Sequence, residues 1–84
     1  RKIESLALMD VYGRVARSLL EFAIEDGAGN LKVRDKISRQ DLAKMVGASR
    51  EMVSRVMKDL EERGFVQTQD DGSMIVKERL LSLA

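Results

Sequence analysis

Residues 37–66, ISRQDLAKMVGASREMVSRVMKDLEERGFV, decide the fold. Two helical patterns follow each other in this stretch and are separated only by Gly47-Ala48-Ser49. Ser38, followed three residues later by an acidic residue, approximates a capping box, and Ser49 is a favourable N-cap for the second helix. The second pattern runs to about Arg63, where Gly64 predicts its end. Two helices joined by a three-residue turn predict a helix-turn-helix.

The second helix of this pair has two chemically distinct faces. Advancing about 100° per residue places its apolar residues on one arc, and they are Val53, Val56, Met57 and Leu60. Its polar residues occupy the opposite arc, and they are Arg50, Glu51, Ser54, Arg55 and Lys58. The first face is predicted to pack on the core, which leaves the second to solvent or to a binding partner.

The segment before this pair predicts another amphipathic helix. Its apolar positions are Val11, Val15, Leu19, Phe22 and Ala23, and its polar positions are Arg14, Arg17, Glu21 and Glu25. Asp10 is predicted to cap its start and residues 26–30 to end it, with a separate short helix before Asp10. LKVRDKI, residues 31–37, alternates as a short strand does.

After residue 64 the period changes from helical to extended. FVQTQ (65–69) and MIV (74–76) are separated by Asp70-Asp71-Gly72-Ser73, which predicts a β-hairpin. The last eight residues predict a short helix or a packed tail. The fold class is therefore mainly α with a small antiparallel β component: a winged helix-turn-helix, with a three-helix core and a β-hairpin wing.

Composition limits the function. The chain has 84 residues, enough for one domain, and its single Tyr, two Phe and absent Trp predict an aliphatic core. Without His or Cys it lacks the commonest metal ligands and the commonest general base, so we expect no enzyme and no metal site. No apolar run approaches the ~20 residues of a membrane span, so we expect a cytoplasmic protein. Residues 34–58 carry seven basic and three acidic groups, which suits a polyanionic partner.

The polar arc of the second helix has the chemistry of a DNA reader. Arg donates two parallel hydrogen bonds to guanine, Glu accepts from the amino group of cytosine, and Ser bonds a base or a phosphate. The alternative is a set of ordinary solvated charges in which Glu51 and Arg55 form an ion pair at spacing i,i+4. A winged-helix module that binds protein and not DNA has no need of this set, and it remains the second hypothesis.

Residues 37–66, together with MDVYGRVARSLLEFA at 9–23, resemble the DNA-binding domain of the cyclic-AMP receptor protein and fumarate and nitrate reduction regulator (Crp/Fnr) family of bacterial transcription regulators. The resemblance implies that Arg50, Glu51, Ser54 and Arg55 read bases in a TGTGA-like half-site. Arg50 favours the catabolite-activator branch, whereas Ser54 stands where that branch has Gly.

The resemblance and the helix starts together indicate phosphate contacts. Free amides and the helix dipole favour anions at the N-terminus of a helix. The expected phosphate-binding residues are Ser38, Arg39, Gln40, Ser49 and Lys58. Asp70 and Asp71 would repel phosphates, so we expect the wing to pack and not to enter a groove.

The resemblance also implies partners. These are double-stranded DNA with a palindromic operator, a second copy of the protein, and RNA polymerase, with no membrane. Residues 1–9 would be the end of a hinge helix from an N-terminal effector domain, and residues 10–84 the DNA-binding domain. No cofactor is expected in this domain; cyclic AMP or another effector would bind the N-terminal one.

Overall fold

The computed structural model describes residues 2–25, 27 and 30–84, with side chains from residue 8 onward. In chain order, its elements are α1 (Lys2–Phe22), β1 (Ile24–Glu25), β2 (Leu31–Val33), α2 (Arg39–Val46), α3 (Arg50–Glu62), β3 (Val66–Thr68), β4 (Met74–Val76) and a C-terminal 3₁₀ helix (Glu78–Leu83). This order confirms the predicted winged helix-turn-helix, in which three helices carry a small antiparallel sheet.

The first helix begins earlier than the sequence predicts. α1 runs without a break through Asp10, so both the predicted N-cap at Asp10 and the separate helix before it are wrong. The Asp10 carboxylate instead pairs with Arg14 one turn later, at 2.9 Å. The physical reason is that the preceding residues, ESLALM, contain strong helix formers and neither Gly nor Pro, so nothing upstream of Asp10 stops the helix.

The same helix also ends earlier than predicted. It stops at Phe22 because the next residues form β1, which pairs antiparallel with β2. Val11, Val15 and Leu19 are buried as predicted, but Phe22 is 39% exposed and Glu25 lies in β1 instead of on the helix. Within the predicted helix end, residues 26, 28 and 29 lie outside the described part of the chain.

The helix-turn-helix forms where the sequence predicts it. Gly47 ends α2 with φ at 74°, a left-handed conformation that Gly adopts without steric cost. The N–H groups of Gly47 and Ala48 both donate to the Ala43 carbonyl, at 2.9 and 3.0 Å. The chain therefore turns within three residues, and α3 begins at Arg50 against the side of α2.

The four strands form one antiparallel sheet in the order β1-β2-β4-β3. The predicted hairpin is present as β3 and β4, hereafter the wing (residues 66–76). Its tip is closed by hydrogen bonds from Gln69 N–H to the Ser73 carbonyl, at 2.7 Å, and from Gly72 N–H to the Gln69 carbonyl, at 3.0 Å. Gly72 has φ at 90°, as a three-residue hairpin loop requires at its last position.

The core is aliphatic, as composition predicts. Its buried hydrophobic residues come from all three helices, the sheet and the tail, and they are Val, Leu, Met and Ala. Leu80 of the 3₁₀ helix is fully buried, which confirms that the tail packs on the domain. Among the described residues, no helix combines the length and the apolar character that crossing a membrane requires.

Candidate nucleic-acid interface

One face of α3 is buried and the other is open. Val53, Val56, Met57 and Leu60 are all inaccessible to solvent, which confirms the predicted packing face. On the opposite side four charged side chains are exposed, and they are Arg50, Glu51, Arg55 and Lys58. Ser54, between them, is half-buried. The buried face fixes the helix to the domain, so the open face is presented on a rigid element.

The exposed charged side chains on this face of α3 form no ion pairs with one another in the described part of the chain. In the part of the chain that the structure describes, ion pairs join Asp10 to Arg14 and Asp59 to Arg63, and none joins Glu51 to Arg55. The Glu51–Arg55 ion pair of the alternative interpretation is therefore not formed in the described residues, although exposed charges are also what ordinary solvated side chains would show. Both side chains are available to a partner.

The N-termini of α2 and α3 are built alike. The Ser38 hydroxyl accepts a hydrogen bond from the Asp41 N–H at 3.0 Å, and the Ser49 hydroxyl accepts one from the Met52 N–H at 3.1 Å. Both serines are N-caps in extended conformation, as the sequence predicts. Each cap satisfies one amide of its helix and leaves amides earlier in the first turn without an intrahelical partner.

The other candidate phosphate-binding residues differ in position. Gln40 is exposed and Arg39 half-buried in the first turn of α2, beside the Ser38 cap. Lys58 is exposed one turn after Ser54 on α3, and it lines a surface recess together with Arg55. The fold thus divides this set between the start of α2 and the exposed face of α3.

Sequence reasoning missed a polar bridge between α1 and α3. The Tyr12 hydroxyl donates to Asp59 Oδ2 at 2.6 Å, and Nε of Arg63 lies 3.1 Å from the same oxygen. Burial, with the hydrogen bond to Asp59, raises the pKa of Tyr12 above its usual 10.0. The spacing of Asp59 and Arg63 is visible in the sequence, but the contact with Tyr12 joins residues 47 positions apart and needs the fold.

Two arginines hold the ends of the helix-turn-helix, and the sequence signals neither. Nη1 of Arg14 donates to the Val46 carbonyl at the end of α2, at 3.0 Å. Nη2 of Arg79 donates to the Arg63 carbonyl at the end of α3, at 2.7 Å, and its guanidinium lies 4.9 Å from the centre of the Phe65 ring. Both cations meet the negative end of a helix, where they are stabilising.

The wing tip is acidic and internally bonded. Asp71 Oδ1 accepts from the Ser73 N–H at 2.9 Å and from the Ser73 hydroxyl at 2.6 Å. These hydrogen bonds lower the pKa of Asp71, which favours its charged form. The neighbouring Asp70 is exposed. The two aspartates place negative charge at the tip, and the Lys36 side chain packs beside Gly72, with Lys32 near enough to Asp71 to favour its charged form.

This fold, with an open polar face on the second helix of a helix-turn-helix, defines the class of winged helix-turn-helix DNA-binding domains. A family model described as "Crp-like helix-turn-helix domain" matches residues 13–82. The chain belongs to this family, and it is a DNA-binding domain of the kind found in transcription regulators.

Individual relatives agree with this assignment. The cAMP-activated global transcriptional regulator Vfr of Pseudomonas aeruginosa is 46% identical over 71 residues, which cover 82% of this chain and 33% of that protein. The catabolite activator protein of Thermus thermophilus matches in structure with a TM-score of 0.76 and 30% identity, over 99% of this chain and 38% of that one.

A third match supports the fold alone. The reduced CO-sensing protein of R. rubrum gives a TM-score of 0.83 at 24% identity, over 100% of this chain and 40% of that one. This chain spans about a third of the length of the curated relatives that it matches.

Proposed function

We propose that this domain binds DNA sequence-specifically, with α3 in the major groove and Arg50, Glu51, Ser54 and Arg55 against the base edges. The observation that carries the proposal is the α3 surface itself: Arg50, Glu51, Arg55 and Lys58 are exposed and form no ion pair within the described residues, on a helix whose other face is buried. A major groove about 12 Å wide admits an α-helix. A rigid helix keeps such contacts in register, which gives sequence selectivity.

Each side chain has a base that suits it. Arg50 and Arg55 each donate two hydrogen bonds to O6 and N7 of a guanine, and Glu51 accepts from N4 of a cytosine. A TGTGA-like half-site supplies these bases through its two G·C pairs. Ser54 brings a hydroxyl to the same surface, where it bonds a base edge. The likeness to Vfr, a cAMP-activated regulator, supports a half-site of the catabolite-activator type.

Phosphate contacts flank the reading helix in this proposal. Ser38, Arg39 and Gln40 approach one phosphate segment from the start of α2, and Ser49 and Lys58 contact the backbone from α3. The two capped helix N-termini support this arrangement, because their first amides point toward an approaching anion. The acidic wing tip stays outside the groove.

The complete assembly in this proposal is a dimer on a palindromic operator. Two copies of α3 read half-sites about one helical turn, ~34 Å, apart. Linking the two copies raises the effective concentration of the second binding event, so a single copy binds weakly. Residues 1–9 belong to the hinge of an effector domain that binds cyclic AMP or another ligand, and RNA polymerase is the further partner. The setting is the bacterial cytoplasm, where the chromosome lies.

The test separates base contacts from phosphate contacts. Arg55→Ala is expected to cost about 1 to 3 kcal/mol at one G·C pair and little on sequences that lack it. Arg39→Ala is expected to weaken binding to every sequence alike and to reduce the salt dependence by about one counterion. The measurement is fluorescence anisotropy on the half-site duplex, its single-pair variants and a salt series.

Arg17→Ala is the matched control, because Arg17 is an exposed arginine on α1 outside the proposed interface. It changes the net charge as Arg55→Ala does and should leave base discrimination intact. Equal losses for Arg55→Ala on all duplexes would refute base reading by Arg55. Failure of two copies of the domain held as a dimer to bind any duplex would favour the protein-interaction module instead.

A further inference from the structure

Asp59 lies between two arginines of its own helix. Arg55 is one turn before it and Arg63 one turn after it, and both spacings allow an ion pair on a helix surface. The structure forms one of the two: the Asp59 carboxylate pairs with Arg63 at 3.1 Å. Over the described residues, no ion pair joins Asp59 to Arg55.

The choice between the two arginines has a visible cause. The Tyr12 hydroxyl of α1 bonds the same oxygen, Oδ2, that faces Arg63, so two donors hold one side of the carboxylate. The side chain of Asp59 is only 29% exposed, and a hydrogen bond to a charged group in a partly buried place is stronger than one at the open surface.

Arg55, the alternative partner of Asp59, lies near it. Tyr12, Asp59 and Arg55 line the same surface recess of about 380 Å³ between α1 and α3. If the Tyr12 hydroxyl is removed, Asp59 loses its shortest hydrogen bond, and Arg55 is then a cation within one helical turn of it. An arginine in an ion pair must break that pair before it can bond a guanine.

We propose that Tyr12 and Arg63 are positioning residues for base reading, because they engage the Asp59 carboxylate and so keep it from pairing with Arg55. The inference rests on the proposed function, in which Arg55 reads a guanine. Neither Tyr12 nor Arg63 needs to touch DNA. Their effect is confined to the base pair that Arg55 reads, since Arg50 and Glu51 lie more than one turn from Asp59.

The test is a mutant cycle with Tyr12→Phe and Asp59→Asn. Tyr12→Phe keeps the ring and its packing and removes only the donor. It should reduce discrimination at the G·C pair read by Arg55 about two- to fivefold, the range expected for an exposed ion pair that must be broken. Asp59→Asn removes the competing charge, so adding Tyr12→Phe to it should change discrimination no further.

The measurement is anisotropy at low salt with the 84-residue chain, on a duplex with one TGTGA half-site and on the same duplex with the contacted pair changed. Thr68→Val is the matched control, because it removes a hydroxyl-to-carboxylate hydrogen bond on α3 at Glu61. Met57 and Phe65 lie four residues on either side of Glu61, so the freed Glu61 carboxylate has no arginine at that spacing to pair with. Thr68→Val should leave discrimination unchanged.

Three outcomes would overturn the inference. The first is a loss for Tyr12→Phe of the same size with and without Asp59→Asn, which means that Tyr12 acts through packing alone. The second is unchanged discrimination in Tyr12→Phe. The third is that the native chain does not discriminate at the G·C pair assigned to Arg55. This result would also refute the proposed function, and it would be seen before any variant is made.

Discussion

Ser49 has two proposed roles that different substitutions separate. Its hydroxyl caps α3 by accepting from the Met52 N–H at 3.1 Å, and in the proposed complex it also meets a DNA phosphate. Ser49→Ala removes both. Ser49→Asp keeps the cap, because Asp is as good an N-cap as Ser and its charge suits the positive end of the helix. It also places a negative charge against the phosphate.

The magnitudes follow from the geometry. Loss of the cap in Ser49→Ala should cost about 1 kcal/mol, which is measurable against the roughly 4 to 12 kcal/mol expected for a domain of this size. Ser49→Asp should unfold at the native urea concentration or slightly above it. Two unit charges about 4 Å apart repel by about 1 kcal/mol even in water, so Ser49→Asp should weaken DNA binding about fivefold or more.

The assays are urea unfolding followed by circular dichroism, and anisotropy on the half-site duplex. Ser82→Asp is a charge-matched control, since Ser82 is exposed on the C-terminal 3₁₀ helix. It should bind DNA nearly as the native chain does. Native stability in Ser49→Ala would refute the capping argument, and native affinity in Ser49→Asp would refute the phosphate contact.

Two further predictions concern stability. Leu80→Ala should lower the free energy of unfolding by about 2 to 5 kcal/mol, because this tail residue is fully buried. Its control is Leu81→Ala, at a position 56% exposed, which should change the free energy by less than about 0.5 kcal/mol. Urea unfolding compares the two variants. The raised pKa of Tyr12 means that folding favours its neutral form. Tyr12 therefore adds to the free energy of unfolding below pH 10.0, and this addition is lost as the pH rises through the folded pKa. Between about pH 8 and 11, the unfolding temperature of Tyr12→Phe should fall less steeply with pH than that of the native chain. An equal fall in both chains would contradict this prediction.

The bounds and the exposed face of α3 could be predicted from the sequence. Ser49 identifies the start of α3, Gly64 its end, and the arc of polar residues its open face, because each signal depends only on neighbours within a turn or two. The wing was predictable for the same reason, since an Asp-Gly turn between two short extended runs is a local signal.

The rest depends on contacts that sequence position does not reveal. Asp10 is a residue type that often caps a helix, but it can do so only where the preceding residues are not helical. Here the preceding residues are helical, so Asp10 lies inside α1. β1 has two residues, too few for a recognisable alternation, and it exists because β2 is there to pair with it. The Tyr12 to Asp59 bridge depends on how α1 packs against α3.

Whether α3 reads a DNA sequence is decided by selecting binding sites from random DNA with two copies of the domain held as a dimer. Reading by α3 predicts enrichment of two inverted TGTGA-like half-sites with centres about one helical turn apart. The same selection with Arg55→Ala should lose the preference at one G·C pair of each half-site and keep the others. Recovery of no common motif, or of a motif that Arg55→Ala leaves unchanged, would contradict base reading by α3.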